Sequence, residues 1–529
     1  MIIKTVMNHD TRPDWNKSLI YGRIIVMGEK KHGSKNSLNY LLGLIQAATL
    51  LYVIMIIGMI KSSDIWYDEV FSLEFSKLNF VELLDMAARD VHPPLYYIYL
   101  KICMNLFGLF RLDEIQAAKL ASCIPAIALL LFAILWVRKR YDANATTLFA
   151  FFIITMPQLA TYYVEIRMYS LALMFVTFAY AAMTDILESD EKKKPQFIVM
   201  FVMSLLAAYT QYFALVAIAA VYIILIVGII VTKKDKSYLY TVIGMIISSI
   251  VLYAPWLPSF FRQIKEVSGS YWIQPMSLRS LPGCLKFMFL PEVPNPTAAY
   301  SFAGIMIALC FMCYVLFFIK KPEIKDILLV CSGPAVVLLI VTVGFVFSIL
   351  GSPIFTYRYL IPVFGILYLN ISKVIAYKKG NGVMYMIIFW CIIFSYASFD
   401  GFYNEETKKC NAWAEAQSRL EMIEPGSAII TNFDHVSSIS AYYLRDDDIY
   451  IYDGETVEVI RELLDNCDSI DDDGIRKLLK EKDNVYFFGS FNVRDEIVKD
   501  WEEAGIGAEY TGECLVERYW FNIYRLSAE

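Results

Sequence analysis

Residues 197–231 read FIVMFVMSLLAAYTQYFALVAIAAVYIILIVGIIV and contain no charged side chain. As one helix rising 1.5 Å per residue, this stretch would be about 52 Å long, whereas the hydrocarbon core of a bilayer is about 30 Å thick. The stretch therefore predicts two membrane-spanning helices, 197–211 and 212–231, joined by a turn at Tyr209-Thr210-Gln211-Tyr212. This hairpin indicates a polytopic α-helical membrane protein.

Other charge-poor stretches of similar length extend the pattern, at 39–60, 115–137, 144–163, 166–187, 239–260, 298–319, 327–350, 359–377 and 383–399. Together with the hairpin they predict about eleven transmembrane helices. Residues 92–110 are also apolar, but they contain Lys101, open with His-Pro-Pro and are rich in Tyr. We interpret them as a juxtamembrane helix at the outer interface. With 57% hydrophobic and 19% charged residues, the chain is not a soluble globular enzyme.

Basic clusters between the spans set the orientation. The positive-inside rule places clusters such as 138–140 and 192–194 in the cytoplasm. Residues 1–38 are then a cytoplasmic tail, and the first outer loop is 61–114. We predict a multi-pass protein of the cell membrane, with its membrane domain over residues 39–399.

Residues 400–529 differ from the membrane body in composition. They hold an excess of acidic residues, whereas residues 1–399 are net basic. The segments AIITNF (428–433), DIYIYD (448–453) and NVYFFG (484–489) alternate with helical stretches. This order predicts a small extracytoplasmic α/β domain. Nothing in the charge distribution indicates a nucleic-acid partner.

The first outer loop carries two motifs, WYDEVFS (66–72) and DVHPPLYY (90–97). Asp68 and Glu69 follow shortly after a membrane helix, and paired carboxylates can supply a general base. The alternative is a solvated pair at a helix N-terminus, where the dipole favours acids. His92 precedes two prolines and can bind a phosphate, although a single histidine is more often structural.

Two later outer corners also carry ionisable groups, which are costly at a membrane boundary. In TYYVEIRMYS (161–170), Glu165 and Arg167 are the only charged residues between Asp142 and Asp185. In SPIFTYRYLIP (352–362), Arg358 stands between two tyrosines. A structural Glu–Arg pair and an interfacial anchor with a snorkelling arginine are the alternatives. Taken together, the corners favour binding of a phosphate-linked lipid.

The order WYDEVFS, DVHPPLYY, EIRMYS and RYL resembles the bacterial glycosyltransferase family 39 and the protein O-mannosyltransferase-like enzymes of the GT-C class. The lipid A aminoarabinose transferases are more distant relatives, and the resemblance covers roughly residues 39–400. It implies an inverting transfer of a sugar from a polyprenyl-phosphate-linked donor to a hydroxyl acceptor on the outer face. The acceptor, a cell-envelope glycan, lipid or protein, stays open, and membrane lipid is a further partner.

The resemblance also implies roles for single residues. Asp68 would be the general base, Glu69 would support it or position the sugar, and Glu165 would be a second acid facing the same cavity. The implied ligands of the donor phosphate are His92, Arg167 and Arg358. Aromatic candidates for donor contacts are Tyr67, Tyr97, Trp272, Tyr357 and Tyr359. No cofactor is required, although paired carboxylates suit Mg²⁺ or Mn²⁺.

Two other function classes compete with this hypothesis. A transporter or lipid flippase would place charged or broken helices near the bilayer midplane and show an inverted repeat. We find no clear internal repeat, and the acids cluster at outer corners, which favours an interfacial enzyme. A sensor or scaffold would instead depend on the acidic outer domain, and the corner residues would then be dispensable.

Overall fold

A computed structural model describes residues 38–528, apart from 62–63, 157–158, 190, 193, 271–272, 292, 294, 351–352, 377–381 and 453–457. The helices of the membrane body are α1 Leu38–Met59, α2 Tyr67–Lys77, α3 Phe80–Arg89, α4 Leu95–Phe107, α5 Glu114–Phe132, α6 Arg138–Arg140, α7 Ala143–Thr155, α8 Leu159–Val164, α9 Tyr169–Glu188, α10 Lys194–Thr210, α11 Tyr212–Val231, α12 Lys236–Tyr253, α13 Leu257–Ser270, α14 Ser280–Phe287, α15 Pro296–Ile319, α16 Ile324–Ile349, α17 Phe364–Ala376 and α18 Gly382–Leu420. A π-helical stretch links α5 to α6, and 3₁₀ turns lie at Gly108–Phe110, Ala254–Trp256 and Tyr357–Val363.

The predicted membrane architecture is confirmed. Over the described ranges, nine helices are long and apolar enough to cross a membrane. Two of the predicted spans, 144–163 and 197–211, correspond to the shorter apolar helices α7 and α10, and the predicted interfacial segment is the short apolar helix Leu95–Phe110. The hairpin forms as expected, because Gln211 alone separates α10 from α11. The chain is a multi-pass membrane protein.

Two helices make the centre of the membrane body. Helices α9 and α17 are buried along nearly their whole length, whereas α1 and α12 expose much of their apolar surface. A helix that is apolar all round is expected in such a central position. Helix α7 ends before Pro157, and Met156 has the extended conformation that a following proline favours. The break places the 165–167 corner between α8 and α9.

The C-terminal domain is a single sheet with helices. Its elements are β1 Ala428–Thr431, α19 Asp434–Tyr443, β2 Asp448–Tyr452, α20 Glu458–Leu463, β3 Cys467–Ile470, α21 Asp472–Glu481, β4 Val485–Gly489, α22 Val493–Glu503, β5 Ile506–Val516 and β6 Tyr519–Ala528. The strand order is β3-β2-β1-β4-β6-β5, parallel from β3 to β4 and antiparallel at β6 and β5. The predicted α/β fold is confirmed, with β1, β2 and β4 at the predicted strands. Helix α18 passes through residue 400 unbroken, so the sheet begins only at Ala428.

Polar contacts dock the C-terminal domain on the loop that follows α1. Arg89 donates two hydrogen bonds of 2.7 Å to the carboxylate of Glu462. Arg445 pairs with the buried Glu74. The backbone N–H of Ile65 donates to the hydroxyl of Tyr443 at 3.0 Å. These contacts hold α19 and α20 against residues 65–89, and the backbone N–H of Glu517, in the turn between β5 and β6, donates to Oδ2 of Asp64 at 3.2 Å.

Candidate active site

The site is built around the first turn of α2. The backbone N–H of Trp66 donates to Oε2 of Glu69 at 3.1 Å, which caps the helix through its own third residue. Oε1 of Glu69 accepts a second bond, of 2.7 Å, from the backbone N–H of Ile166. Glu69 is 3% exposed, and burial raises the pKa of its carboxyl group to about 8. Glu69 therefore ties α2 to the corner between α8 and α9.

Asp68 faces two arginines that come from distant parts of the chain. Its Oδ2 atom lies 3.8 Å from Nε of Arg167 and 3.5 Å from Nη1 of Arg358. Arg167 also donates to the backbone carbonyl of Asp68 at 3.1 Å, which fixes the guanidinium in place. Within the described residues, Oδ2 of Asp68 accepts no hydrogen bond, and the side chain keeps 19% of its surface exposed. The buried Oδ2 atom is thus charge-paired without a hydrogen-bond donor, and the exposed part of the side chain lies on its other atoms.

Glu165 lies beside this cluster on a separate wall. It is 6% exposed, and burial raises the pKa of its carboxyl group, while the charges of Arg358 and Arg518 oppose that effect. With Glu69 and Trp66 it lines a small polar pocket. The turn between β5 and β6 closes this pocket from the side of the C-terminal domain. The pocket is lined by both acidic and basic residues: Glu69, Glu165, Glu406 and Glu517, and Lys119, Lys409 and Arg518.

His92 belongs to a second cavity, which is mostly apolar. This cavity has a volume of about 160 Å³, and its lining includes His92, Gln211, Phe213, Phe260, Val343 and Tyr359. Burial lowers the pKa of His92 well below its usual range, and the charges of Arg167 and Arg358 act in the same direction. The imidazole is therefore neutral near pH 7. The two arginines are therefore near His92 of the apolar cavity as well as near Asp68.

The aromatic candidates occupy different positions. Tyr67 stacks on His435 of the C-terminal domain, and Tyr97 donates to Oδ2 of the half-buried Asp90 at 2.8 Å. Tyr359 lines the apolar cavity. Tyr357 is 41% exposed and packs against Phe287, so it stands apart from the Asp68 cluster. Trp272 lies outside the described residues.

The carboxylate pair does not fit a divalent cation. Both oxygens of Glu69 accept backbone N–H groups, and the buried Oδ2 atom of Asp68 faces two guanidinium groups. In the part of the chain that the structure describes, no group of three or more His, Cys, Asp or Glu side chains lies close enough to hold a metal ion. The carboxyl oxygens of Asp68 and Glu69 therefore interact with arginine side chains and backbone N–H groups of the protein itself.

Sequence reasoning missed three participants in the site. The ring of Trp66 lies between the guanidinium groups of Arg358, at 5.6 Å, and Arg518, at 4.3 Å. Asp90 stands in the same motif as His92, so its acidic side chain was a visible signal. Arg518 lies in the C-terminal domain, and nothing in its local sequence distinguishes it from a surface arginine.

Comparison with known proteins supports the fold. No family model matches the chain, and no curated protein matches it. Two solved structures resemble it with a TM-score of 0.57: ArnT from Cupriavidus metallidurans in the apo state, at 13% identity, and ArnT bound to undecaprenyl phosphate, at 14%. Each alignment covers 90% of this chain and 97% of the other. The GT-C fold expected from the motifs is confirmed.

Proposed function

We propose that this chain is a membrane glycosyltransferase that moves a sugar from a polyprenyl-phosphate-linked donor to a hydroxyl acceptor on the outer face. The observation that carries the proposal is the cluster of Asp68, Arg167 and Arg358 at one corner of a GT-C fold. It unites a carboxylate with two fixed cations, the groups needed to activate a hydroxyl and to stabilise a phosphate. The binding of undecaprenyl phosphate by ArnT, which has a similar fold, supports a lipid-linked donor.

Asp68 is the general base of the proposed reaction. Its half-buried carboxylate removes the proton of the acceptor hydroxyl as that oxygen attacks the anomeric carbon. The new carbon–oxygen bond forms on the face opposite the phosphate, so the configuration inverts. The bond between the anomeric carbon and the phosphate oxygen breaks, and its electron pair leaves on the polyprenyl phosphate.

Arg167 and Arg358 stabilise the leaving phosphate. They are held at the Asp68 corner before substrate arrives, so little reorganisation is needed when charge develops. Glu69 shapes the corner through its bonds to Trp66 and Ile166. Glu165, on the pocket wall nearby, is placed to position the sugar. No acid is needed for the leaving group, because a phosphate monoester of a lipid already leaves well.

The apolar cavity holds the start of the lipid chain. Its mouth carries His92, whose neutral imidazole can donate one hydrogen bond to a phosphate oxygen. Tyr359 lines the same cavity and neighbours Arg358 in sequence, which connects the apolar space to the cationic corner. The donor phosphate would then lie at the boundary between the two. We place this corner and the C-terminal domain on the extracytoplasmic side of the membrane.

The decisive experiment compares donors. Purified protein in detergent is given a radiolabelled polyprenyl-phosphate sugar with an acceptor-containing envelope extract, and the release of free polyprenyl phosphate is measured. A parallel reaction uses the nucleotide-linked form of the same sugar without lipid carrier. Release from the lipid-linked donor alone supports the proposal. Turnover of the nucleotide sugar, or neither binding nor turnover of any lipid-linked sugar, would overturn it.

A further inference from the structure

A row of aromatic rings leads from the Asp68 corner onto the C-terminal domain. Tyr67 stacks face to face on His435, with ring centroids 3.8 Å apart. His435 neighbours Phe433 at 4.5 Å, and Phe433 neighbours Phe491 at 5.1 Å. The hydroxyl of Tyr519 lies 2.9 Å from Nδ1 of His435. The aromatic row consists of Tyr67, Phe433, His435, Phe491 and Tyr519.

The aromatic row is accessible from outside. Phe491 is 58% exposed, and the other four rings are only partly buried. The row therefore presents one exposed ring, Phe491, and four half-buried rings. Phe491 also has φ of +59°, a region that favours glycine and is unfavourable for a bulky side chain. A strained aromatic residue that buries little of its own surface points to a binding role.

We propose that the aromatic row is the acceptor subsite and that the acceptor is a carbohydrate chain. This inference rests on the proposed glycosyltransferase function and names its acceptor class. A sugar ring presents an apolar C–H face bordered by hydroxyl groups, which matches ring faces with polar edges. His435 and Tyr519 supply such edges. Nδ1 of His435 and the hydroxyl of Tyr519 already bond to each other, and the hydroxyl groups of a sugar, unlike an acyl chain, can add further hydrogen bonds to this pair.

The position of the row fits delivery of a hydroxyl to the base. Tyr67 is the residue immediately before Asp68, so a chain lying along the row reaches the carboxylate at its inner end. On the other side of Trp66 lies the polar pocket, whose acidic and basic groups nearly balance. Such a mixture favours a neutral polyhydroxyl group over a strongly anionic or cationic one.

Trp66 adds an independent observation. Its side chain is 8% exposed and borders the polar pocket, and its Nε1–H group has no hydrogen-bond partner within the described residues. A buried donor without a partner is costly, so an acceptor hydroxyl at this point would satisfy it. Trp66 thus joins the polar pocket to the aromatic row, because Tyr67 of the row follows it directly in the chain.

The acceptor class is tested by following the transferred label. Full-length protein in nanodiscs is given a radiolabelled polyprenyl-phosphate sugar and an envelope preparation separated into polysaccharide, lipid and protein fractions. Label in the polysaccharide fraction supports the inference. Label in the lipid or protein fraction overturns it while leaving the proposed function intact. If no fraction causes release of polyprenyl phosphate, the proposed glycosyltransferase function itself is wrong. This outcome differs from label in the lipid or protein fraction, which overturns only the acceptor class.

Variants of the row test its role with the isolated polysaccharide fraction as acceptor. Phe491→Gly removes the ring and suits the positive φ, so the Tm should be unchanged or higher. In both Phe491→Gly and His435→Ala, the KM for the acceptor should rise about 10-fold. The KM for the donor should stay unchanged in both variants. Tyr510→Ala is the control. Tyr510 is 52% exposed and lies on the hairpin of β5 and β6, about 20 Å along the strands from Tyr519 of the aromatic row. An unchanged acceptor KM in both row variants would refute the subsite.

Discussion

The Oδ2 atom of Asp68 lies 3.5 Å from Nη1 of Arg358, although 290 positions separate the two residues in the chain. The pair joins the first outer loop to the corner that opens the Tyr357–Val363 turn. Within the described residues, Oδ2 of Asp68 is paired with Arg358 by charge alone and accepts no hydrogen bond. Because no hydrogen bond ties Arg358 to this oxygen, its guanidinium group can bind a phosphate at the same corner without moving away from it.

Replacing Asp68 by asparagine should separate chemistry from binding. Asp68→Asn keeps the size of the side chain but removes the base, so the rate of transfer should fall by about 10²- to 10⁴-fold. The Kd for the lipid-linked donor should change little, because the arginines remain. The measurement is release of polyprenyl phosphate, with donor binding followed in parallel. Asp85→Asn, an exposed acid on α3, is the control and should keep full activity. Equal losses in binding and rate would argue against a base.

Removing Arg358 should weaken donor binding. A hydrogen bond to a charged group contributes about 1.5–3 kcal/mol, so Arg358→Ala should raise the KM for the donor by about 10- to 100-fold. Arg358→Lys should recover only part of this, because lysine lacks the planar fork of donors. Arg262→Ala changes an arginine of α13 that donates to a backbone carbonyl, and it serves as the control. A purely structural role for Arg358 would lower the Tm without a selective change in donor KM.

The hairpin at residues 197–231 could be predicted because an uncharged stretch of this length is too long for one membrane-spanning helix and fits two. The grouping of Asp68 with Arg167 and Arg358 was expected from their positions at predicted outer corners and from the resemblance; the structure brings the three side chains together, while their catalytic roles stay predictions. The role of Trp66 was not predictable, because its two cationic neighbours come from different domains. No local pattern marks Arg518 as the residue that approaches this ring, since the approach is set by docking of the C-terminal domain.

The C-terminal domain shows where local patterns fail. The apolar strands β1, β2 and β4 were identified because they are short buried runs between turns. Strand β3 (CDSI) and the edge strand β5 are partly polar, and their place in the sheet depends on neighbours that the sequence does not name. The boundary near residue 400 was set from a change in composition. Helix α18 continues beyond it because the backbone remains helical as the side chains become polar.

The ionisation of Glu69 should make stability depend on pH. Burial raises its pKa from an ordinary value of 4.5 to about 8, so between these values the folded protein holds a proton that the unfolded chain has released. The contribution is fully present below about pH 4.5 and is lost as the pH rises through about 8. Glu69→Gln removes this dependence. It also replaces one acceptor by a donor facing a backbone N–H, which should cost about 1–3 kcal/mol.

Thermal unfolding at pH 5 and pH 8 measures this effect. Wild type should be more stable than Glu69→Gln at pH 5, and the difference should narrow at pH 8. Glu82→Gln is the matched control, because Glu82 makes the same capping contact at the start of α3 but lies exposed. Its difference from wild type should not vary in this pH range. A gap that widens between pH 5 and pH 8 would show that Glu69 is stabilised as the anion.

Filling the apolar cavity should block the lipid donor without unfolding the protein. Val343 of α16 lines the cavity of about 160 Å³, so Val343→Phe places a larger ring in existing space. The donor KM should rise about 10-fold or more while the Tm stays within a few degrees of wild type, because vacant volume limits the strain of overpacking. Leu338→Phe on the same helix is the control, since Leu338 is 66% exposed on the outer surface of the membrane body. An unchanged donor KM in a folded Val343→Phe variant would mean that the lipid chain binds elsewhere. If Val343→Phe and Leu338→Phe both fail to fold, the result would show only that α16 does not tolerate larger side chains.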